Sequence, residues 1–126
     1  MKNSMANIVF LDEYSLGGND LSSIKSLGNY TAYDRTLPEQ TLERCKGADI
    51  VISNKVYISR EIMTQLPDLK MIAIAATGMN NVDLEAAAEL GIEVKNVSGY
   101  STYSVAEATL TFALSLLKNA QYYDHY

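Results

Sequence analysis

Apolar residues in this chain fall into short unbroken runs, each closed by a polar break. Ile8-Val9-Phe10-Leu11 is followed at once by Asp12-Glu13. Ile50-Val51-Ile52 is followed by Ser53-Asn54-Lys55, and the run at 71–75 by Ala76-Thr77-Gly78. Runs this short and continuous predict strands buried on both faces. Residues 29–33 alternate and predict a less buried strand, and 92–97 predict a fifth. Between them lie helical stretches with punctuation. Asp20 is placed to cap a short helix that includes Ile24 and Leu27, with Gly28 ending it. Pro38 suits the first turn of a helix ending near Gly47. Ser59 caps a helix through Gln65, which Pro67 breaks. A helix over 83–90 is stopped by Gly91.

Strands alternating with helices imply right-handed βαβ crossovers. The expected fold is α/β: a flavodoxin-like, doubly wound, parallel five-stranded sheet of order 2-1-3-4-5. Ligands of such sheets bind beyond the carboxyl ends of the strands. Here that edge carries Asp12-Glu13, Ser53-Asn54-Lys55, Ala76-Thr77-Gly78 and residues 96–103.

A long final helix is expected over 103–117. Val105, Ala106, Ala108, Leu110, Phe112, Ala113, Leu114, Leu116 and Leu117 spread around most of its circumference. A surface helix carries one apolar stripe, so this one calls for cover on several sides by a second domain, a second subunit or both. The chain therefore divides into a domain over 1–102 and an interdomain or dimerisation helix over 103–126.

Composition narrows the function classes. The chain has 126 residues, 48% of them hydrophobic, and a net charge of −5. With no basic cluster, a nucleic-acid partner is not expected. The single cysteine, Cys45, cannot form an internal disulfide, which fits a reducing, cytoplasmic compartment. The N-terminus lacks the apolar core of a signal peptide, and no run approaches the ~20 residues of a membrane helix. One His, at position 125, and no Cys/His cluster argue against a zinc site.

The chemistry concentrates in two loops. At Thr77-Gly78, glycine permits backbone conformations closed to other residues and lets a ligand approach the main chain. Successive N–H groups at such a turn can hold a carboxylate or phosphate, although a strand-to-helix turn also needs such a glycine. In the Asn54-Lys55-Val56 loop, Lys55 can draw in an anion or simply be solvated. Asn80-Asn81-Val82-Asp83 reads as helix capping. Glu107 suits the dipole of the last helix better than a role as base. Gly17-Gly18 lacks the spacing of a dinucleotide loop. With the only His in the tail there is no nucleophile–base pair. The residues give an anion-friendly cleft without catalytic machinery.

At these residues the chain resembles the D-isomer-specific 2-hydroxyacid dehydrogenases, and is most similar to their glycerate dehydrogenase (hydroxypyruvate reductase) branch. The matching text is Ser53-Asn54-Lys55-Val56, then the Leu66-Pro67-Asp68-Leu69-Lys70-Met71-Ile72 stretch, then Ala76-Thr77-Gly78-Met79-Asn80-Asn81-Val82-Asp83. It continues through Ala86-Ala87, Gly91-Ile92 and Asn96-Val97 to Gly99-Tyr100-Ser101-Thr102 and Ser104-Val105-Ala106-Glu107. The resemblance implies an NAD(P)-dependent oxidoreductase moving a hydride between nicotinamide and C2 of a 2-keto or 2-hydroxy acid. It implies that the Thr77-Gly78 turn offers N–H groups to the substrate carboxylate, with Thr77 also near the cofactor. It further implies that Asn54, Lys55 and Val56 close the substrate side and that Ser104 and Val105 border the nicotinamide. The last helix would cross to the cofactor domain and join a homodimer interface. The family's Gly-x-Gly-x-x-Gly loop and its catalytic Arg, Glu and His have no counterpart in this sequence. The expectation is thus a substrate-binding part, inactive alone. Asn80 stands where many members have Asp, as in the glycerate-type branch. The alternatives are a stand-alone ligand-binding module or a phosphoreceiver-like signalling domain. The latter shares the strand order, Asp12-Glu13 and Thr77, but lacks an acceptor Asp after the third strand.

Overall fold

The computed structural model describes residues 5–18 and 20–96. The expected helix over 103–117, with Ser104 and Val105, lies outside the described residues, as does the boundary at 102/103.

Five strands form one parallel sheet: β1 (Ala6–Phe10), β2 (Gly28–Ala32), β3 (Ile50–Ser53), β4 (Met71–Ile74) and β5 (Glu93–Lys95). Their order is β2-β1-β3-β4-β5, as the alternation of runs and helical stretches implies. The central strands bury both faces. Ile8, Phe10, Ile50, Ile52, Met71 and Ala73 pack on one side with Leu16, Leu21 and Ile24. Val9, Leu11, Val51, Ile72 and Ile74 pack on the other with Cys45, Met63, Ala86 and Ala87. This two-sided burial is why these strands read as continuous runs and the edge strand β2 does not. Cys45 is fully buried, and burial pushes its thiol up to about 12, so it stays protonated and acts as a small core residue.

The helices α1 (Ser22–Lys25), α2 (Thr41–Cys45), α3 (Arg60–Met63) and α4 (Leu84–Glu89) are each one or two turns long. Local capping sets their starts. The Ser59 hydroxyl accepts from Ile62 N–H at 3.3 Å, and the Asp83 carboxylate accepts from Ala86 N–H at 3.0 Å. Pro38 opens a 3-10 turn that runs into α2, and Gly47 and Gly91 follow α2 and α4 with φ of 80° and 73°. Only glycine adopts that left-handed backbone without strain.

Several boundaries differ from expectation, and three of them have a clear physical cause. α3 ends at Met63 rather than Gln65, because the following backbone tightens, with Gln65 N–H donating to Ile62 and Leu66 N–H to Met63. β5 is shorter than 92–97 at its start, where Ile92 N–H bonds to Ala87 O and so belongs to the helix exit. Gly28 does not end α1. That helix stops at Lys25, and Gly28 opens β2 opposite Ala6 of β1. A Cβ on Gly28 would lie 2.1 Å from the Ala6 carbonyl oxygen, so this glycine is required by the close approach of two strands.

Candidate functional site

The carboxyl ends of β1, β3 and β4 open on one side of the sheet, and two loops there build a cleft. The first leaves β3 and runs through Asn54 to Ile58. The second leaves β4 and runs through Ala76 to Asp83. They are fastened together by backbone. Ile58 N–H donates to Asn81 O at 2.9 Å, and Asp83 N–H donates to Ile58 O at 3.1 Å, forming a parallel bridge between Ile58 and Val82. The Asn81 side chain adds a bond from Nδ2 to Val56 O at 3.1 Å. Asn81 was expected among capping residues; Asp83 caps α4 and Asn81 joins the loops.

The first loop is also held from below. Asp12 is 2% exposed, and its carboxylate accepts from Asn54 N–H (2.9 and 3.2 Å to the two oxygens) and from Lys55 N–H (2.7 Å). Ser53, fully buried, accepts from Val56 N–H at 3.0 Å. Sequence reading placed Asp12 at this edge but missed its task, because the partners are 42 and 43 residues away. The one available signal was an acid directly after a buried strand facing a loop rich in backbone donors. Glu13 is likewise engaged: Tyr30 Oη donates to its carboxylate at 2.5 Å. Burial first, and that bond second, push the Tyr30 phenol up, so it remains a neutral donor.

Both acids turn their oxygens to these donors, and Lys55 is the charged side chain among the residues that line the cleft. Lys55 makes no salt bridge among the described residues. Asn54, Lys55, Tyr57, Ala76, Gly78, Asn80 and Asn81 line a cavity of about 420 Å³. Three of the expected site residues, Asn54, Lys55 and Gly78, thus meet at one cleft. Thr77 stands between two of its lining residues, exposed, and its carbonyl accepts from Asn96 Nδ2 at 2.6 Å. Val56 lines a neighbouring cavity of about 430 Å³ instead.

Gly78 corrects one expectation. Among the described residues the left-handed glycines are Gly17, Gly47 and Gly91, and Gly78 is not one of them. A Cβ there would meet only Asn80 Oδ1, at 3.4 Å, an ordinary contact. Neither a left-handed φ nor crowding calls for glycine here, and Gly78 is exposed with no hydrogen bond from its N–H among the described residues.

Residues 8–122 match the model of the catalytic domain of D-isomer-specific 2-hydroxyacid dehydrogenases. The chain belongs to this family. It is 50% identical over 110 residues to a protein of Haemophilus influenzae provisionally named a 2-hydroxyacid dehydrogenase, covering 86% of this chain and 35% of that one. It is 39% identical to the hydroxypyruvate reductase of Blautia hydrogenotrophica (87% of this chain, 34% of the relative). It is 42% identical to the glycerate dehydrogenase of Methylorubrum extorquens (85% and 35%). Among solved structures, the NAD+-bound 3-phosphoglycerate dehydrogenase of Entamoeba histolytica superposes with a TM-score of 0.66 at 28% identity, over 74% of this chain and 33% of that one. The chain spans about a third of the length of the curated relatives it matches.

Family membership sets the phosphoreceiver alternative aside, and the fold agrees. The third strand ends in Ser53, which is buried within its own loop, and Asp12 is saturated by backbone amides. Among the described residues no three His, Cys, Asp or Glu side chains come together as a metal site, and no helix is long and apolar enough to cross a membrane.

Proposed function

We propose that this chain is the substrate-binding part of an NAD(P)-dependent oxidoreductase interconverting 2-keto acids and D-2-hydroxy acids of the hydroxypyruvate/glycerate kind. The observation that carries this reading is the convergence of Asn54, Lys55 and Gly78 on one cleft at the carboxyl edge of the sheet. A 2-keto acid brings a carboxylate. The open amide face of the Thr77-Gly78 turn supplies donors to it, and Lys55 supplies the opposite charge. The Asp12 carboxylate holds the Asn54-Lys55 backbone, so it acts as a positioning residue for that wall.

The described residues bind and orient; they do not cradle a dinucleotide. Gly17-Gly18 follows a 3-10 turn and precedes α1, so it does not join a strand to a helix as a pyrophosphate loop must. When bound by the remainder of a full-length enzyme, the nicotinamide supplies the hydride. Within this reading Thr77 borders the cofactor, and Ser104 and Val105 face the nicotinamide. The 103–117 helix forms the link to a cofactor domain and a homodimer contact, and the protein works in the cytoplasm. The apolar circumference of 103–117 supports that contact. The chain alone is inactive.

The test is a two-part experiment on the 126-residue chain. Hydroxypyruvate titrated into the 15N-labelled protein should shift the Thr77, Gly78, Asn54 and Lys55 amides, with a dissociation constant on the order of 1 mM for half a site. NADH with hydroxypyruvate should not be oxidised by the chain. Shifts confined to other surfaces would overturn the site, and turnover would overturn the division of labour.

A further inference from the structure

The two walls of the cleft are anchored differently. The Lys55 wall has the Asp12 carboxylate beneath it. The Thr77-Gly78 turn has backbone anchors on either side of it. Ala75 N–H donates to Ser53 O at 2.8 Å before the turn, and Val82 N–H donates to Met79 O at 3.2 Å after it. Between those anchors, residues 76–78 make a single hydrogen bond among the described residues. Asn96 Nδ2 donates to the Thr77 carbonyl at 2.6 Å.

Asn96 comes from the neighbouring strand. β4 pairs with β5 as far as Ala73 opposite Lys95, so Asn96 is the first residue past that ladder. Its side chain reaches across the carboxyl edge of the sheet to a carbonyl 19 residues away in sequence. Ala76 and Gly78 line the cleft, whereas Asn96 does not.

The bond has a consequence for the next atom along. Among the described residues every peptide bond is trans. The Thr77 carbonyl and the Gly78 N–H belong to one planar group and point opposite ways. Holding the carbonyl toward Asn96 therefore turns the N–H away from Asn96. That N–H donates to no atom among the described residues, and Gly78 itself lines the cleft. A donor received at the carbonyl also polarises the group, which makes its N–H a stronger donor.

We propose that Asn96 is a positioning residue: its bond to the Thr77 carbonyl fixes the Thr77-Gly78 peptide plane and presents the Gly78 N–H to the carboxylate of a bound 2-keto acid. The proposal rests on the function proposed above and adds to it the side chain that aims the donor. Asn96 does for this wall what Asp12 does for the other, with the polarity reversed. Asp12 accepts from backbone N–H groups, and Asn96 donates to a backbone carbonyl. An ionised aspartate of the same shape would have no hydrogen to donate.

The test uses the labelled 126-residue chain and hydroxypyruvate. A through-hydrogen-bond coupling between Asn96 Nδ2 and the Thr77 carbonyl carbon should be present and should grow on binding, as the peptide group is polarised from both ends. Its absence in both the free and the bound chain would overturn the proposal without any substitution. Asn96→Ala should weaken binding about 10-fold, the worth of one well-made hydrogen bond, and shrink the Gly78 amide shift while the Asn54 and Lys55 shifts persist. Asn96→Asp, with nearly the same shape and no N–H, should weaken it at least as much. Added to Gly78→Ala, Asn96→Ala should cost less than a further ~3-fold, because both changes act on one amide. A full additional ~10-fold loss would show that Asn96 acts elsewhere and overturn the proposal. Unaltered affinity in Asn96→Ala and Asn96→Asp, with the Gly78 shift intact, would reduce Asn96 to a tie between β5 and the turn; that would overturn the proposal and leave the proposed function standing. No Gly78 shift in the parent chain would overturn both.

Discussion

Gly28 and Gly78 are both glycines beside a strand of the same sheet, and they are glycine for opposite reasons. At Gly28, where β2 enters against β1, a methyl group would collide with the Ala6 carbonyl oxygen at 2.1 Å. The obstacle is backbone and cannot swing away. At Gly78, after β4, the nearest atom to a Cβ is a side-chain oxygen at 3.4 Å, and φ is not left-handed. The fold excludes a side chain in the first region and merely omits one in the second. Under the proposed function, the space beside Gly78 is the space a ligand takes.

Three substitutions break or sharpen that contrast. Gly28→Ala should cost the most, ~3 kcal/mol in urea denaturation, since two paired strands must separate or shift. Binding of hydroxypyruvate to the folded fraction should stay as in the parent. A loss under ~0.5 kcal/mol would mean the strands part easily, and the contrast would fail. Asp12→Ala should cost ~2 kcal/mol, because it strips a buried acceptor from the Asn54 and Lys55 amides. Unlike Gly28→Ala, it should also weaken hydroxypyruvate binding, as the Lys55 wall loses its anchor. Stability loss with unaltered affinity would reduce Asp12 to a purely structural group. Gly78→Ala should change stability by less than ~0.5 kcal/mol, yet weaken hydroxypyruvate binding about 10-fold. A large stability loss, or no effect on binding, would return Gly78 to the same category as Gly28.

The two glycines also show what could be read in the sequence. The sheet was legible because its central strands bury both faces, so Ile8–Leu11 and 71–75 appear as unbroken apolar runs. Helix ends were legible where the signal is local: Ser59 and Asp83 cap within three residues, and Gly47 and Gly91 sit two positions past a helix. Gly28 looked like another helix stop, because its true constraint comes from Ala6, a neighbour through space. Asp12 and Asn81 were misjudged for the same reason. Their bonds to the 54–56 loop span 25 to 43 residues, and no local pattern encodes them. Helix lengths were overestimated because apolar periodicity continues through one-turn exits that are too tight to be α-helical. Family likeness pointed to Asn54, Lys55 and Gly78, which line one cavity. The mechanics that bring them together were not legible.

The bridge between Ile58 and Val82 has a consequence for how this binding site can change. It pairs the two loops in the manner of neighbouring parallel strands, beyond the last rung shared by β3 and β4. The gap between the loops is therefore gauged by backbone spacing, about 4.8 Å from one strand to the next. Exchanging side chains alters the lining of the mouth without altering its width. Only adding or removing a residue in one loop resets the gauge, and it would do so in a single discrete step.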